Sequence, residues 1–254
     1  MSEPSADPPR RISVQMILRT ARVLFFAGRW WRAWPVWLPF VAYSAFFVFI
    51  QPLDGFMEPF GGRYRIAVTV VDAMLEALAA APMRRFMLGY GAGTWRADAA
   101  LVRYLACSVL LFALPQAVQD TLTQLGQSGD SGAKLLATFT GMAVGLVMIV
   151  VWLQTAPWPT GLLMGETALG YSQSADRMKG AKTGLAVASV LVALPAILVF
   201  GLLQYLHWHS AGLVATIGIA ALRVAVTTVF LIAFNAGAVA IYALTRPRAE
   251  TVFI

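Results

Sequence analysis

The sequence predicts an all-α fold: a polytopic bundle of about six transmembrane helices, preceded by an amphipathic helix at the membrane surface. Composition is the first observation behind this. Hydrophobic residues make up 59% of the 254 and charged residues only 12%, against about 25% charged in ordinary globular chains. Mean hydropathy is +0.71. The second observation is a succession of apolar runs whose lengths, at about 1.5 Å per residue, match a hydrocarbon core of about 30 Å. The third is the sidedness of the charge. With the N-terminus inside, every Lys and Arg except Arg63, Arg65, Lys134 and Arg223 falls in a cytoplasmic segment, as the positive-inside rule requires.

That sidedness accounts for the net charge of +7 without nucleic acid as a partner. It predicts a multi-pass membrane protein with both termini cytoplasmic. There is room for several spans and short loops, and none for an added soluble domain. The single cysteine, Cys107, excludes an intramolecular disulfide or a cysteine metal cluster and reads as a small buried hydrophobe. No signal-peptide cleavage pattern follows the first apolar run.

Residues 1–11 are polar and rich in Pro and Ser, which predicts a disordered tail. Segment 12–32 reads as an interfacial amphipathic helix. Ser13 can cap it, and Arg11, Arg22 and Arg29 share one edge with Arg19 beside them. Val14, Ile17, Leu24 and Phe25 fill the other side. The arginines would therefore meet anionic phospholipid headgroups on the cytoplasmic face. The alternative is a solvated helix packed on the cytoplasmic loops. Trp30, Trp31, Trp34 and Trp37 mark an interface.

The bundle then occupies 33–254, with spans near 35–50, 66–82, 104–119, 135–155, 183–203 and 224–244. Met83-Arg84-Arg85 stops the second span, and Arg84, Arg85, Arg96 and Arg103 are assigned to the loop after it. Gly89 to Gly93 in that loop reads as a turn, because no strand precedes it as a phosphate loop would need. Pro115 interrupts the third span. Gly141 and Gly145 in the fourth form a small-xxx-small pattern that admits a neighbouring helix. The run 212–244 would be about 50 Å long as one helix, too long to stand upright. It is therefore split near Arg223, with 212–223 re-entrant or interfacial. His207 and His209, at i and i+2, do not share a helix face and make a metal site improbable.

A parallel two-helix repeat is a candidate feature. Ala81-Pro82 with Leu88-Gly89 is echoed by Ala156-Pro157 with Met164-Gly165, and Ala113-Leu114-Pro115 by Ala193-Leu194-Pro195. Arg84-Arg85-Phe86-Met87-Leu88-Gly89, Ser174-Ala175-Asp176-Arg177-Met178-Lys179-Gly180 and Ile241-Tyr242-Ala243-Leu244 follow in suggestive order. In this the chain resembles uncharacterised alphaproteobacterial inner-membrane proteins, distantly similar to the membrane domain of some glycerophosphodiester phosphodiesterases. The resemblance implies a membrane bundle and brings no activity, since the phosphodiesterase's catalytic domain is a separate, soluble one.

Asp72 and Glu76 are the strongest polar anomaly. At i and i+4 they share a helix face, and carboxylates at membrane depth must face protein or water. They form either a proton or cation site, or a structural pair satisfied by Arg65 or Arg223 together with Asn235. Neither a nucleophile–base pair nor a metal-ligand cluster accompanies them, so no catalytic residue, metal or cofactor is assigned. The function expected is a non-enzymatic membrane protein binding lipid or a partner protein, as an envelope-maintenance factor or assembly scaffold; a homo-oligomer is one such arrangement. The alternative is a small solute, lipid or ion transporter using Asp72 and Glu76.

Overall fold

The computed structural model describes residues 11–27, 34–50, 62–89, 94–113, 115–118, 121–122, 131–209 and 212–246. Arg29, the loop 90–93 and the side chain of Arg65 lie outside that description, as does nearly all of the predicted tail. The described residues form helices α1 (Val14–Ala27), α2 (Trp34–Ile50), α3 (Gly62–Met87), α4 (Ala99–Ser108), α5 (Ser131–Thr155), α6 (Pro157–Leu163), α7 (Tyr171–Arg177), α8 (Lys182–His209) and α9 (Leu213–Thr245). No strand occurs among them. Four stretches are long and apolar enough to cross a membrane: Ala99–Val118, Lys134–Thr155, Lys182–Leu206 and Val214–Thr245. Of the other two predicted spans, α2 has 17 residues and α3 has 26, the latter with Asp72 and Glu76 midway.

Helix α9 is the axis of the bundle, with α1, α2, α3, α6 and α8 packed around it. Its contact faces are built from residues with little or no exposure, Ile232, Ala236, Val239, Ala240 and Ile241. Small side chains at 236 and 240 let neighbours come close, which is how membrane helices gain packing energy when water supplies none. The predicted break near Arg223 does not occur: 213–245 is one helix of 33 residues. Nothing in this stretch removes a backbone donor, since it contains no proline, and continuing a helix is far cheaper than ending one where carbonyls would be left unpaired. At about 50 Å it outreaches the hydrocarbon core.

Two further expectations need correction. Arg84 and Arg85 do not lie in a loop but in the last turn of α3, and both are buried. Arg103 lies within α4 and is exposed. Pro115 leaves a recognisable distortion. Lacking an N–H and crowding the carbonyl four residues back, it is preceded by a π-helical turn at Val109–Ala113. Gly141 and Gly145 meet no neighbouring helix: a Cβ at either would find nothing within 4 Å among the described residues.

The turns after α3 and α6 are built alike. Leu88 N–H donates to the Arg84 carbonyl (3.1 Å) and Gly89 N–H to Phe86 (3.0 Å). In the later turn Met164 donates to Thr160 (3.1 Å) and Gly165 to Leu162 (3.1 Å). Both glycines are left-handed, with φ of 85° and 88°, a conformation that closes a helix C-terminus without a Cβ penalty.

Helix α1 lies against α8 and α9. Ile12 and Ile17 are buried with Met178, Ala181, Leu185, Ala188 and Ile241, while Arg11, Arg19 and Arg22 are exposed. The Ile12 N–H donates to the Gly180 carbonyl at 3.3 Å. Gly184 makes this approach feasible, because a Cβ there would sit 2.7 Å from the Ile12 carbonyl oxygen. Gly184→Leu should therefore lift α1 from the bundle, at a cost of about 1–3 kcal/mol as for other overpacked contacts. The expected readout is a lower melting temperature in detergent together with faster maleimide labelling of Ile17→Cys in a Cys107→Ser background. Unchanged labelling would show that α1 is held elsewhere.

Candidate functional site

Buried polar groups recur on α9 at seven-residue intervals, Thr228, Asn235 and Tyr242, none more than 7% exposed. Seven residues make about two helical turns, so the three side chains share a face and stand about 10.5 Å apart. Each is joined to a different part of the fold. Thr228 Oγ1 donates to Ser44 Oγ of α2 at 3.1 Å. Asn235 Oδ1 accepts from Arg84 Nε of α3 at 2.7 Å, and its Nδ2 donates to the Leu231 carbonyl at 2.8 Å. The Tyr242 hydroxyl donates to Glu166 Oε1 in the loop after α6.

The second and third of these contacts grow into networks at one end of the bundle. Arg84 also donates to Thr160 Oγ1 of α6 at 3.0 Å, and its guanidinium lies 5.3 Å from the centre of the Tyr104 ring. Arg85 reaches Asp98 Oδ1 at 2.8 Å and the Arg96 carbonyl. Glu166 is paired with Arg177 at 2.9 Å and with Arg246 at 3.6 Å. The end of α3, the start of α4, α6, the loop between α6 and α7, the end of α7 and the end of α9 are thus fastened together.

Asp98 has a double task, since its Oδ1 also accepts the Leu101 N–H at 2.9 Å and so caps α4. Partial burial disfavours its charged form. The Leu101 amide and the Arg85 and Arg96 guanidiniums outweigh this and hold the carboxyl below its usual range.

The acidic pair lies apart from this end. Asp72 and Glu76 are both partly buried on α3. The Tyr43 hydroxyl of α2 hydrogen-bonds Asp72, and among the described residues neither carboxylate is in an ion pair. Asn235, expected to serve them, is turned toward Arg84 instead. Arg223 lines a cavity of about 570 Å³ between α2, α8 and α9. Val48, Phe200, Phe230 and Leu231 form its apolar walls, and Tyr43, Gln204 and Thr227 join Arg223 as its polar groups. Tyr43 therefore belongs to both features, with the acidic pair behind it and the cavity in front. Among the described residues, no three His, Cys, Asp or Glu come together to hold a metal.

From the sequence alone Glu166, Tyr43 and Gln204 carry no role, Arg84 falls in a loop, and Tyr242 stands out only within the motif that carries the family resemblance. No family model, curated protein or solved structure matches the chain.

Two outcomes are expected. Asn235→Leu removes one acceptor from the buried Arg84 guanidinium and should cost about 1.5–3 kcal/mol, as for a hydrogen bond to a charged group, whereas Arg84→Met added to it should recover much of the loss. A double-mutant cycle in detergent melting temperature checks this, and additive losses would refute the coupling. For Asp98, the depressed folded-state pKa means that its contribution is complete above the unfolded value of about 3.9 and is lost as pH falls through the lower folded value. Asp98→Asn, which can still cap, should narrow the stability difference between pH 6 and pH 3. Equal acid sensitivity of the two proteins would contradict it.

Proposed function

We propose that the chain is a non-enzymatic integral membrane protein of the bacterial inner membrane that binds membrane lipid. The carrying observation is the half-open cavity beside Tyr43 and Arg223, with apolar walls and a few convergent polar groups, the usual make-up of a small-molecule site. Six spans supply its setting: α2, α3, the α4 stretch to Val118, α5, α8 and α9. The start of α1 and the end of α9 both join the fastened end, which the positive-inside rule assigns to the cytoplasm. Exposed Arg11, Arg19 and Arg22 are placed there to meet anionic headgroups. The matching turns at Gly89 and Gly165 support a parallel repeat of the two helix pairs. Helix α5, apolar and largely uncovered by the rest of the chain, leaves a face for lipid, a partner protein or a second copy. An envelope-maintenance or scaffold role is part of this proposal, as is the family resemblance drawn from the sequence.

One observation favours a second reading, a small transporter: Tyr43 connects Asp72 to the cavity wall, so that a solute or cation could reach the acidic pair. The two readings separate experimentally. Purification in native nanodiscs followed by mass spectrometry of the intact complex should show retained lipid, and filling the cavity should deplete it. Asp72→Asn with Glu76→Gln should leave lipid retention unaltered under the first reading. Under the second it should abolish pH-dependent flux in proteoliposomes while melting stays put. The orientation is checked with Gly91→Cys in a Cys107→Ser background; labelling by an impermeant maleimide in intact cells would overturn it.

A further inference from the structure

We infer that the cavity is built for a phosphate-bearing lipid, with the headgroup phosphate on Arg223 and an acyl chain along the wall below it. The inference rests on the lipid-binding reading and names its ligand class. Charge is the first support. Arg223 is a guanidinium, which offers a planar fork of donors that suits phosphate, and among the described residues no carboxylate is part of the cavity lining. Gln204 and Thr227 add neutral hydrogen-bonding groups beside it.

Depth is the second support. Arg223 lies 22 residues from Thr245, the inner end of α9, and Gln204 lies 22 residues from Lys182, the inner end of α8. Along two antiparallel neighbours both residues therefore stand about 33 Å from the fastened end. A hydrocarbon core of about 30 Å puts them at headgroup level on the opposite face. Phe230 and Leu231 lie about two turns further down α9, and Tyr43 marks the floor. The polar groups are thus at the depth of a phosphate and the apolar wall at the depth of its chains. A diacylglycerol would fill the wall and offer no phosphate to the arginine.

Gly201 provides a clean way to close the cavity. It lines the wall, and a Cβ there would meet nothing within 4 Å, so a larger side chain enters open space rather than packed protein. The experiment titrates purified full-length protein in detergent with acyl-labelled phosphatidylglycerol and, separately, acyl-labelled diacylglycerol. Wild type should bind the phospholipid at least about tenfold more tightly, the scale of one charge-assisted hydrogen-bonded contact. Arg223→Gln should reduce that preference to near unity, Arg223→Lys should keep part of it, and Gly201→Phe should weaken both lipids. A wild-type preference near unity, with Gly201→Phe still weakening both lipids, would overturn the phosphate assignment and leave the cavity reading intact. If Gly201→Phe alters neither lipid, the cavity reading itself fails. Displacement of the labelled phospholipid by millimolar inorganic phosphate would identify free phosphate rather than a headgroup as the ligand and would also overturn the proposal. The wild-type comparison and Gly201→Phe keep the test decisive should Arg223→Gln fail to fold.

Discussion

A guanidinium cannot give up its proton to escape a dry environment, so a buried arginine forces its surroundings to supply acceptors. Arg84 does this for one whole end of the bundle. Its hydrogen bonds to Asn235 and Thr160 and its stacking on Tyr104 bring α3, α9, α6 and α4 to one point. These partners are all neutral, and the charge is eased by position instead. Arg84 is in the last turn of α3, where the unpaired carbonyls and the helix dipole favour a cation. Glu76 lies eight residues earlier on the same helix, about 12 Å away along the axis, and its field reaches Arg84. Beside it, Arg85 turns outward to Asp98 and thereby fixes the start of α4. One arginine closes the interior while its neighbour pins the connection.

Most of the helices were legible in the sequence, because span-length apolar runs and the sidedness of arginine are local and cumulative signals. The last helix was misread for a physical reason: the bilayer limits how much of a helix is covered by hydrocarbon, not how far the helix extends. The two arginines after Pro82 were read as a solvated stop, because a basic cluster at the end of an apolar run usually is one. Their burial depends on partners far along the chain: Thr160 is 76 residues from Arg84 and Asn235 is 151. No local pattern carries such pairings. Asn235 itself was visible as a polar residue in an apolar run, yet it was given the wrong partner. Glu76 and Arg84 lie about two turns apart on one helix, and the choice between them depends on how α3 slides against α9. That register is a property of packing. The spacing of Thr228, Asn235 and Tyr242 was in plain view, but threonine and tyrosine are ordinary in membrane helices, and spacing alone names no partner.

The two ends of the bundle are therefore unlike. At the Arg84 end, hydrogen bonds, ion pairs and the α1–α8 contact at Gly184 tie together α1, α3, α4, α6, α8 and α9, and Gln154 of α5 is bonded to Ser174 and Tyr171 of α7. Toward the other end of α9 the Thr228–Ser44 bond joins α9 to α2, and alongside it α2, α8 and α9 separate enough to leave the cavity. Such a molecule deforms most easily where its contacts are fewest. Alternating access would require the fastened end to open as well, breaking the Arg84 and Glu166 networks and stranding buried charge. Binding from one leaflet requires movement only where the helices already part. This difference in cost is why the geometry favours a lipid receptor over a carrier, and why the acidic pair reads best as the polar floor beneath the cavity, held by Tyr43, rather than as a gate to the far side.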